Sequence, residues 1–231
     1  MRLRFASYNI HKAVGLDRRR DPARIMSVLR EVNADVIALQ EADRRIGQRA
    51  AVLPRAMIDD SPWELVPVAR RPRSIGWHGN ALLVRRTLEV LEGHALDLPR
   101  LEPRGAVAGT LTLAGQCIHV FGTHLDLSGL RRREQVRALL AQAQDAARGA
   151  PMVIMGDFNQ WGKLTGAMSE FVSDWQLFTP GPSYPSRAPI AVLDRIAATH
   201  HWSCHNADVH HSGLASVASD HLPVWVDLEL E

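Results

Sequence analysis

The chain has 231 residues, 46% of them hydrophobic, with 27 Lys and Arg against 25 Asp and Glu. That is long enough to bury a sizeable core, and a net charge of +2 excludes a polybasic tail or a strongly membrane-adhesive face. The only cysteines, Cys117 and Cys204, exclude a disulfide framework and a zinc-finger spacing.

No apolar run approaches the ~18–20 residues that span a bilayer. The amino terminus, Met1-Arg2-Leu3-Arg4-Phe5, lacks the apolar core of a signal peptide, so a cytoplasmic location is expected. Apart from Lys12 and Lys163 the basic residues are all arginine, a whole-chain bias that genome composition explains.

In chain order, Leu3–Ile10 reads as the first strand. Asp21-Pro22 then supplies an N-cap and a proline at the first helical position, and Ile25, Val28, Leu29 and Val32 supply the apolar stripe of a helix. Asp35–Gln40 is apolar almost throughout and predicts a strand covered on both faces. The stretch from Arg44 to Arg73 is irregular, with a strand candidate at Trp63–Val68. Asn80–Val84 and Leu88–Leu91 read as strands joined by Arg85-Arg86-Thr87.

Ala106–Leu113 and Gln116–Gly122 flank Ala114-Gly115 and predict a hairpin, with Cys117 as a small buried hydrophobe. Gly129–Ala147 is the longest predicted helix, with Leu130, Leu139, Leu140 and Ala143 inward and Gly149-Ala150-Pro151 as its stop. A strand at Met152–Met155, a short helix near Leu164–Val172, a strand at Val192–Ala197, strand-like residues around Val209 and a final strand at Val224–Leu230 complete the series. No internal repeat or low-complexity linker is visible, and motif residues spread from 9 to 221 favour a single domain over residues 1–231. Hairpins mixed with strand–helix–strand crossovers imply an α/β protein of two mixed sheets packed face to face, helices outside.

Polar motifs close or follow the apolar runs: Ser7-Tyr8-Asn9, Leu39-Gln40-Glu41, Thr123-His124, Gly156-Asp157-Phe158-Asn159, Leu193-Asp194-Arg195 and Ser219-Asp220-His221. Strand ends are where open α/β sheets present their chemistry. Carboxylates, carboxamides and imidazoles are what a divalent-metal phosphoesterase needs: a cation site, a positioned water and help for the leaving oxygen. Glu41 needs a partner for its charge, and a metal is a good one. Asp157 and Asn159 lie two apart and project to one side of an extended chain. Asp220-His221 with Asp194 suggests a carboxylate–imidazole pair. Taken singly, each has a plain alternative: an exposed strand-terminal acid for Glu41, a turn bonded to its own backbone for Asp157 and Asn159, a capping or surface histidine for His221. The histidines His200-His201, His205 and His210-His211 have no helical i,i+4 pair and no Cys partner at finger spacing, which argues against zinc. Arg131-Arg132-Arg133 reads as a solvated face.

Together and in this order, the motifs resemble the endonuclease/exonuclease/phosphatase superfamily, which includes deoxyribonuclease I-like and exonuclease III-like nucleases, sphingomyelinases and inositol-polyphosphate phosphatases. The resemblance spans essentially the whole chain and implies a four-layer α/β/β/α sandwich with the site at one end of its two sheets. It implies Glu41 as principal metal ligand for Mg²⁺ or Mn²⁺, with Asn9 and Asp220 as ligands or close neighbours. Asp157 is implied to activate or orient water, Asn159 to stabilise the phosphate, and His221, paired with Asp194, to stabilise the transition state. His124 matches the histidine of the deoxyribonuclease, sphingomyelinase and phosphatase branches, which exonuclease III-like abasic-site enzymes usually lack. Tyr8-Asn9-Ile10-His11-Lys12, Gly79-Asn80-Ala81, Pro103-Arg104-Gly105 and Tyr184-Pro185-Ser186 are similar to a compact bacterial subgroup without a settled substrate, in which Asn80 and Arg104 are the expected substrate-phosphate contacts.

The expected activity is a metal-dependent phosphodiesterase acting on nucleic acid, a phospholipid head-group or a small phosphodiester, with no stable protein partner. The alternatives are a phosphomonoesterase of inositol-phosphate type and a catalytically silent binding module with the same fold. Balanced charge gives no footprint for groove-spanning DNA binding, and Trp77 and Trp161 are candidates for exposed loops.

Overall fold

The first two strand-like runs become β1 (Arg2–Asn9) and β2 (Val36–Gln40) in a computed structural model that describes every residue except 100, 101, 163, 164 and 173. Between them runs α1 (Pro22–Val32), whose first turn is capped where Asp21 Oδ1 accepts from the Arg24 amide at 3.0 Å. It stops at Asn33, whose φ of 51° is the left-handed conformation that Asn tolerates. Next come α2 (Arg55–Asp59), β3 (Trp63–Leu65), β4 (Ala81–Arg85), β5 (Glu89–Leu96), β6 (Gly105–Leu113) and β7 (Gln116–His124). The long helix α3 (Gly129–Ala147) leads to β8 (Met152–Asp157), β9 (Trp175–Phe178), β10 (Asp194–Thr199), β11 (Trp202–Val209), the single turn α4 (Ala215–Ala218) and β12 (Val224–Leu230).

Two six-stranded mixed sheets result, ordered β11-β12-β1-β2-β4-β3 and β5-β6-β7-β8-β10-β9. Both follow one plan. A parallel pair joined by a helix, β1 with β2 through α1 and β7 with β8 through α3, is flanked by antiparallel neighbours. The repeat is one of topology and leaves no trace in the residues.

The faces the sheets turn to each other carry Phe5, Val36, Val84, Val120, Met155 and Val226, among others. Phe5 meets Trp202 edge-on with centroids 5.3 Å apart. On the outer faces, Ile25, Val28, Leu29 and Val32 of α1 cover Tyr8, Ile37 and Leu39, while Val136, Leu139 and Ala143 of α3 cover Phe121 and Ile154. Full burial of each such aliphatic side chain contributes roughly 1.5–3 kcal/mol, which makes these stripes the chief reason the helices dock. Four layers, α/β/β/α, follow.

Several expectations change. Leu130 is 82% exposed, because the buried face of α3 starts at Arg132 and its apolar stripe only at Val136. Cys117 is exposed, lying in the overhang of β7 beside the Ala114-Gly115 turn, where Ile118 takes the inward position. Arg132 is buried rather than solvated and donates to the carbonyls of Asp126 (3.1 Å) and Leu127 (2.8 Å). The predicted helix near 164–172 is a 3-10 turn over Gly166–Glu170, residue 164 lying outside the described residues. Among the described residues no helix is long and apolar enough to cross a membrane.

Candidate active site

The two parallel ladders end alike. Asn9 pairs with Gln40 and His124 with Asp157, and just beyond, the amides of Ile10 and Leu125 bond back to the carbonyls of Gln40 (3.1 Å) and Asp157 (2.9 Å). This brings the carboxyl ends of β1, β2, β7 and β8 to one end of the sandwich. Asp194 arrives there at the start of β10, directly opposite Asp157. Gly156 makes the close approach possible: a Cβ on it would lie 2.1 Å from the Thr123 carbonyl oxygen, so no other residue fits.

Asp157, buried, is the hub. Its Oδ2 accepts from Asn9 Nδ2 at 3.1 Å and faces His124 Nε2 at 3.4 Å and His221 Nε2 at 3.8 Å. Its Oδ1 accepts from the Asn159 amide at 2.9 Å. Asn159 turns the chain with a φ of 49°, and its Nδ2 donates to the Leu125 carbonyl at 2.9 Å. Across the site, Asp194 Oδ2 takes His221 Nδ1 at 2.8 Å and the Ser183 hydroxyl at 2.5 Å. Ser219 ties the last motif to the first, donating to the Asn9 carbonyl at 2.7 Å while its oxygen accepts from the His221 amide at 3.3 Å. The Tyr184 ring lies 4.9 Å from that of His221.

The two histidines are driven to opposite charge states. Burial pulls His221 down, but Asp194, Asp157 and Asp220 outweigh it and raise its pKa to about 10. Burial dominates at His124 and lowers its pKa to about 3, assisted by Arg104 and His221 and opposed only by Asp157. His124 is therefore neutral, and the Arg104 Nη1 that bonds its Nε2 puts the ring proton on Nδ1. Arg104 also donates to the Leu125 carbonyl at 2.9 Å and to Glu102 at 3.3 Å.

Glu41 follows β2 with a φ of 55°, and its Oε2 meets the ammonium of Lys12. Lys12 sits in a left-handed turn formed by three consecutive non-glycine residues, His11, Lys12 and Ala13, at φ of 44°, 56° and 57°. Backbone strain of this kind concentrates at functional sites. Asp220, a third exposed, lies 3.8 Å from His11 Nδ1. Asn80 is fully buried, and its Nδ2 donates to the carbonyls of Trp77 (3.3 Å) and Gly105 (3.1 Å), tying the start of β4 to the start of β6. Trp77 is half-buried under the Arg70 guanidinium, 4.7 Å from its ring, while Trp161 is 65% exposed.

Ligand atoms of Asp157, Asp194 and His221 lie within 4.8 Å of one another. Two of those groups are bonded to each other, which suits an acid–imidazole pair better than a shared ion. The oxygens of Glu41, Asn9 and Asp220 are the hard donors that Mg²⁺ or Mn²⁺ prefers, and the ammonium at Glu41 marks a position where positive charge is favoured. The donor set fits such a cation. Sequence reading missed Ser183 and gave Ser219, though part of the last motif, no role of its own. It also passed over Lys12, whose signal was its rarity in an arginine-rich chain.

The sequence matches the Endonuclease/Exonuclease/phosphatase family over residues 6–221. It is 27% identical over 205 residues to the Escherichia coli K12 protein "Uncharacterized protein YbhP", covering 81% of each chain. The fold superposes on that of an endonuclease/exonuclease/phosphatase from Bacteroides vulgatus with a TM-score of 0.78 at 17% identity, covering 100% of both chains. It also superposes on the Bacteroides thetaiotaomicron mannosyl-6-phosphatase Bt3783 with a TM-score of 0.75 at 18% identity, covering 99% of this chain and 100% of that one. The family match takes in every strand-end motif from Asn9 to His221, and the chain belongs to the Endonuclease/Exonuclease/phosphatase family, whose enzymes are divalent-metal-dependent phosphoester hydrolases.

Proposed function

We propose that the protein hydrolyses phosphodiesters with Mg²⁺ or Mn²⁺, on nucleic acid, a phospholipid head-group or a small phosphodiester, as a single domain. The observation that carries this reading is the buried Asp157 carboxylate facing Asn9, His124 and His221, with Asp194 behind His221. Glu41, with Asn9 and Asp220, would hold the cation, which when bound would offset charge on the phosphoryl oxygens. Asp157 orients a water and accepts its proton as the water oxygen bonds to phosphorus. His221, an imidazolium held by Asp194, donates from Nε2 to a phosphoryl or departing oxygen as the ester bond breaks. Asn159 contributes its free amide hydrogen to a phosphoryl oxygen. Neutral His124, whose Nε2 accepts from Arg104, adds no charge of its own beside Asp157, and Arg104 faces the phosphate. Asn80 acts by holding the strand ends in place.

A diester is favoured because the cleft lined by Glu41, His124 and Arg104 is open to solvent, which leaves a second ester arm free to extend outward. Monoester hydrolysis is the second reading, favoured by the fold neighbour named a mannosyl-6-phosphatase. One panel separates them: DNA, RNA, bis-p-nitrophenyl phosphate, p-nitrophenyl phosphate, phospholipids and inositol phosphates, each with Mg²⁺, Mn²⁺ or EDTA and with Asp157→Asn as control. Cleavage that needs metal and disappears in the variant supports the reading and names the substrate class. Metal-independent turnover, or full activity in the variant, overturns it.

A further inference from the structure

Ser183-Tyr184-Pro185-Ser186 takes no part in the hydrolysis described above, yet it lies against both members of the acid–imidazole pair. On one side the segment is tied to the chain entering β10. The Ser183 amide donates to the Ala191 carbonyl at 2.9 Å, and the Ala191 amide donates back to the Tyr184 carbonyl at 2.8 Å. On the other side it is tied to the last motif. The Leu222 amide donates to the Ser183 carbonyl and the Ser186 amide to the Asp220 carbonyl, each at 2.8 Å. The Ser186 hydroxyl donates to the Ser219 carbonyl at 2.7 Å. Asp194 and His221 stand 27 residues apart in the chain, and this segment joins the backbone around one to the backbone around the other.

Two of its side chains carry the contact further. Ser183, fully buried, donates its hydroxyl to Asp194 Oδ2, the same oxygen that accepts from His221 Nδ1. The other oxygen, Oδ1, is buried without a hydrogen-bond partner among the described residues. Two bonds at one oxygen therefore set the rotation of this carboxylate, and Ser183 makes the one that does not come from His221 itself. Tyr184 acts on the imidazole directly. It is half-buried, and its ring lies 4.9 Å from that of His221 at an interplanar angle of 48°. Aromatic packing at that distance is favourable, and it restrains a histidine torsion whose own energy profile is broad.

We propose that Ser183 and Tyr184 are positioning residues that aim His221 Nε2 at the scissile phosphate, Ser183 through Asp194 and Tyr184 through the imidazole ring. The proposal rests on the phosphodiesterase reading and adds no bond-making step, since neither side chain touches the reacting atoms. Orientation of this kind acts in the transition state, where a misplaced donor lowers turnover more than it weakens substrate binding.

The test joins kinetics on bis-p-nitrophenyl phosphate with Mn²⁺ to proton spectroscopy of the metal-free protein. In Ser183→Ala, kcat is expected to fall by about tenfold or more, the effect of one hydrogen bond to a charged group, with KM unchanged. Tyr184→Ala gives a smaller fall in kcat, and Tyr184→Phe, which keeps the ring, restores it. In both alanine variants the Nδ1 proton resonance of His221 shifts and is lost to faster exchange with water, a signature that a merely structural role would not move. Thermal melts establish that the variants are folded, and Tyr184, only half-buried, keeps the test decisive should Ser183→Ala fail to fold. A native kcat in Ser183→Ala, or a fall in kcat with the His221 resonance unchanged, overturns the role of Ser183. A loss in Tyr184→Phe equal to that in Tyr184→Ala overturns the role of the Tyr184 ring. A resonance that responds as expected in a protein that cleaves no diester keeps the positioning and refutes the phosphodiesterase reading instead.

Discussion

Asp157 and Asp194 are both buried and both reach His221, yet their surroundings divide them. Asp194 is spent on the imidazole and on Ser183, whereas Asp157 keeps one oxygen in the open end of the site among Asn9, His124 and His221. Replacing Asp157 by Asn preserves shape and removes the proton acceptor, so kcat is expected to fall by about 10³-fold with the melting temperature unchanged or higher; steady-state kinetics and thermal melts check both halves. In the metal-free protein His221 is expected to keep its second proton until about pH 10, which imidazole ¹⁵N shifts followed against pH will report. The stabilisation it contributes is complete below its ordinary value of 6.5 and is lost as pH rises through about 10. A titration near 6.5 would mean that the carboxylates do not hold the proton. At this scale the sequence is readable where a titrating side chain ends an apolar run, as at Glu41 and Asp157. It is mute where a hydroxyl such as Ser183 acts only through its neighbour, and misleading where periodicity is extended past the true contact, as at Leu130.

Elements that advertise themselves do so through punctuation. Asp21-Pro22 opens α1, Ala114-Gly115 turns β6 into β7, and Gly149-Ala150-Pro151 follows α3, and these three stand where the residues place them. Asp21→Ala removes the side-chain acceptor for the Arg24 amide and is expected to cost about 1 kcal/mol, read as a shift in denaturant midpoint with unchanged slope. One strand escaped notice and another was seen only at its end, around Val209, for a physical reason. β9 is only four residues, and β11 is an edge strand whose Ser203, His205 and Asn206 interrupt its apolar pattern. Gly156 marks the opposite case, a position where a single Cβ would enter the neighbouring strand. Gly156→Ala is expected to destabilise the fold by about 3 kcal/mol and to lower activity through displacement of Asp157; chemical denaturation beside kinetics distinguishes it from Asp157→Asn, which touches activity alone.

The whole molecule is two copies of one plan set back to back, and the site lies where the ends of both parallel pairs meet. Neither half holds a complete set: Asn9 and Glu41 come from one sheet, His124, Asp157 and Asp194 from the other. The sheet that holds β1 is clasped by Asp227 of β12, which takes Arg4 at 2.8 Å and Arg2 at 3.0 Å. Burial raises the pKa of that acid, but the hydrogen bonds and charge of the two arginines outweigh it and leave it lowered. Its stabilising effect is therefore present above the ordinary carboxylate pKa and lost as pH falls through the lowered value. Asp227→Asn is expected to lose stability at neutral pH and to flatten the acid limb of the stability curve, measured by denaturant melts from neutral to acid. The four-layer architecture was legible because hairpins alternate with crossovers along the chain; the repeat was not, since topology can be copied while every residue changes.

The pairing of β1 with β12 joins Arg2 to Glu229, so β1 waits for a strand that lies far along the chain. While the chain is still being synthesised, Asn9, Glu41, His124, Asp157 and Asp194 can all have left the ribosome with His221 still missing and β1 without its neighbour. The set of strand-end residues is complete only once His221 has been made, so the site assembles after synthesis of its last motif and not alongside it.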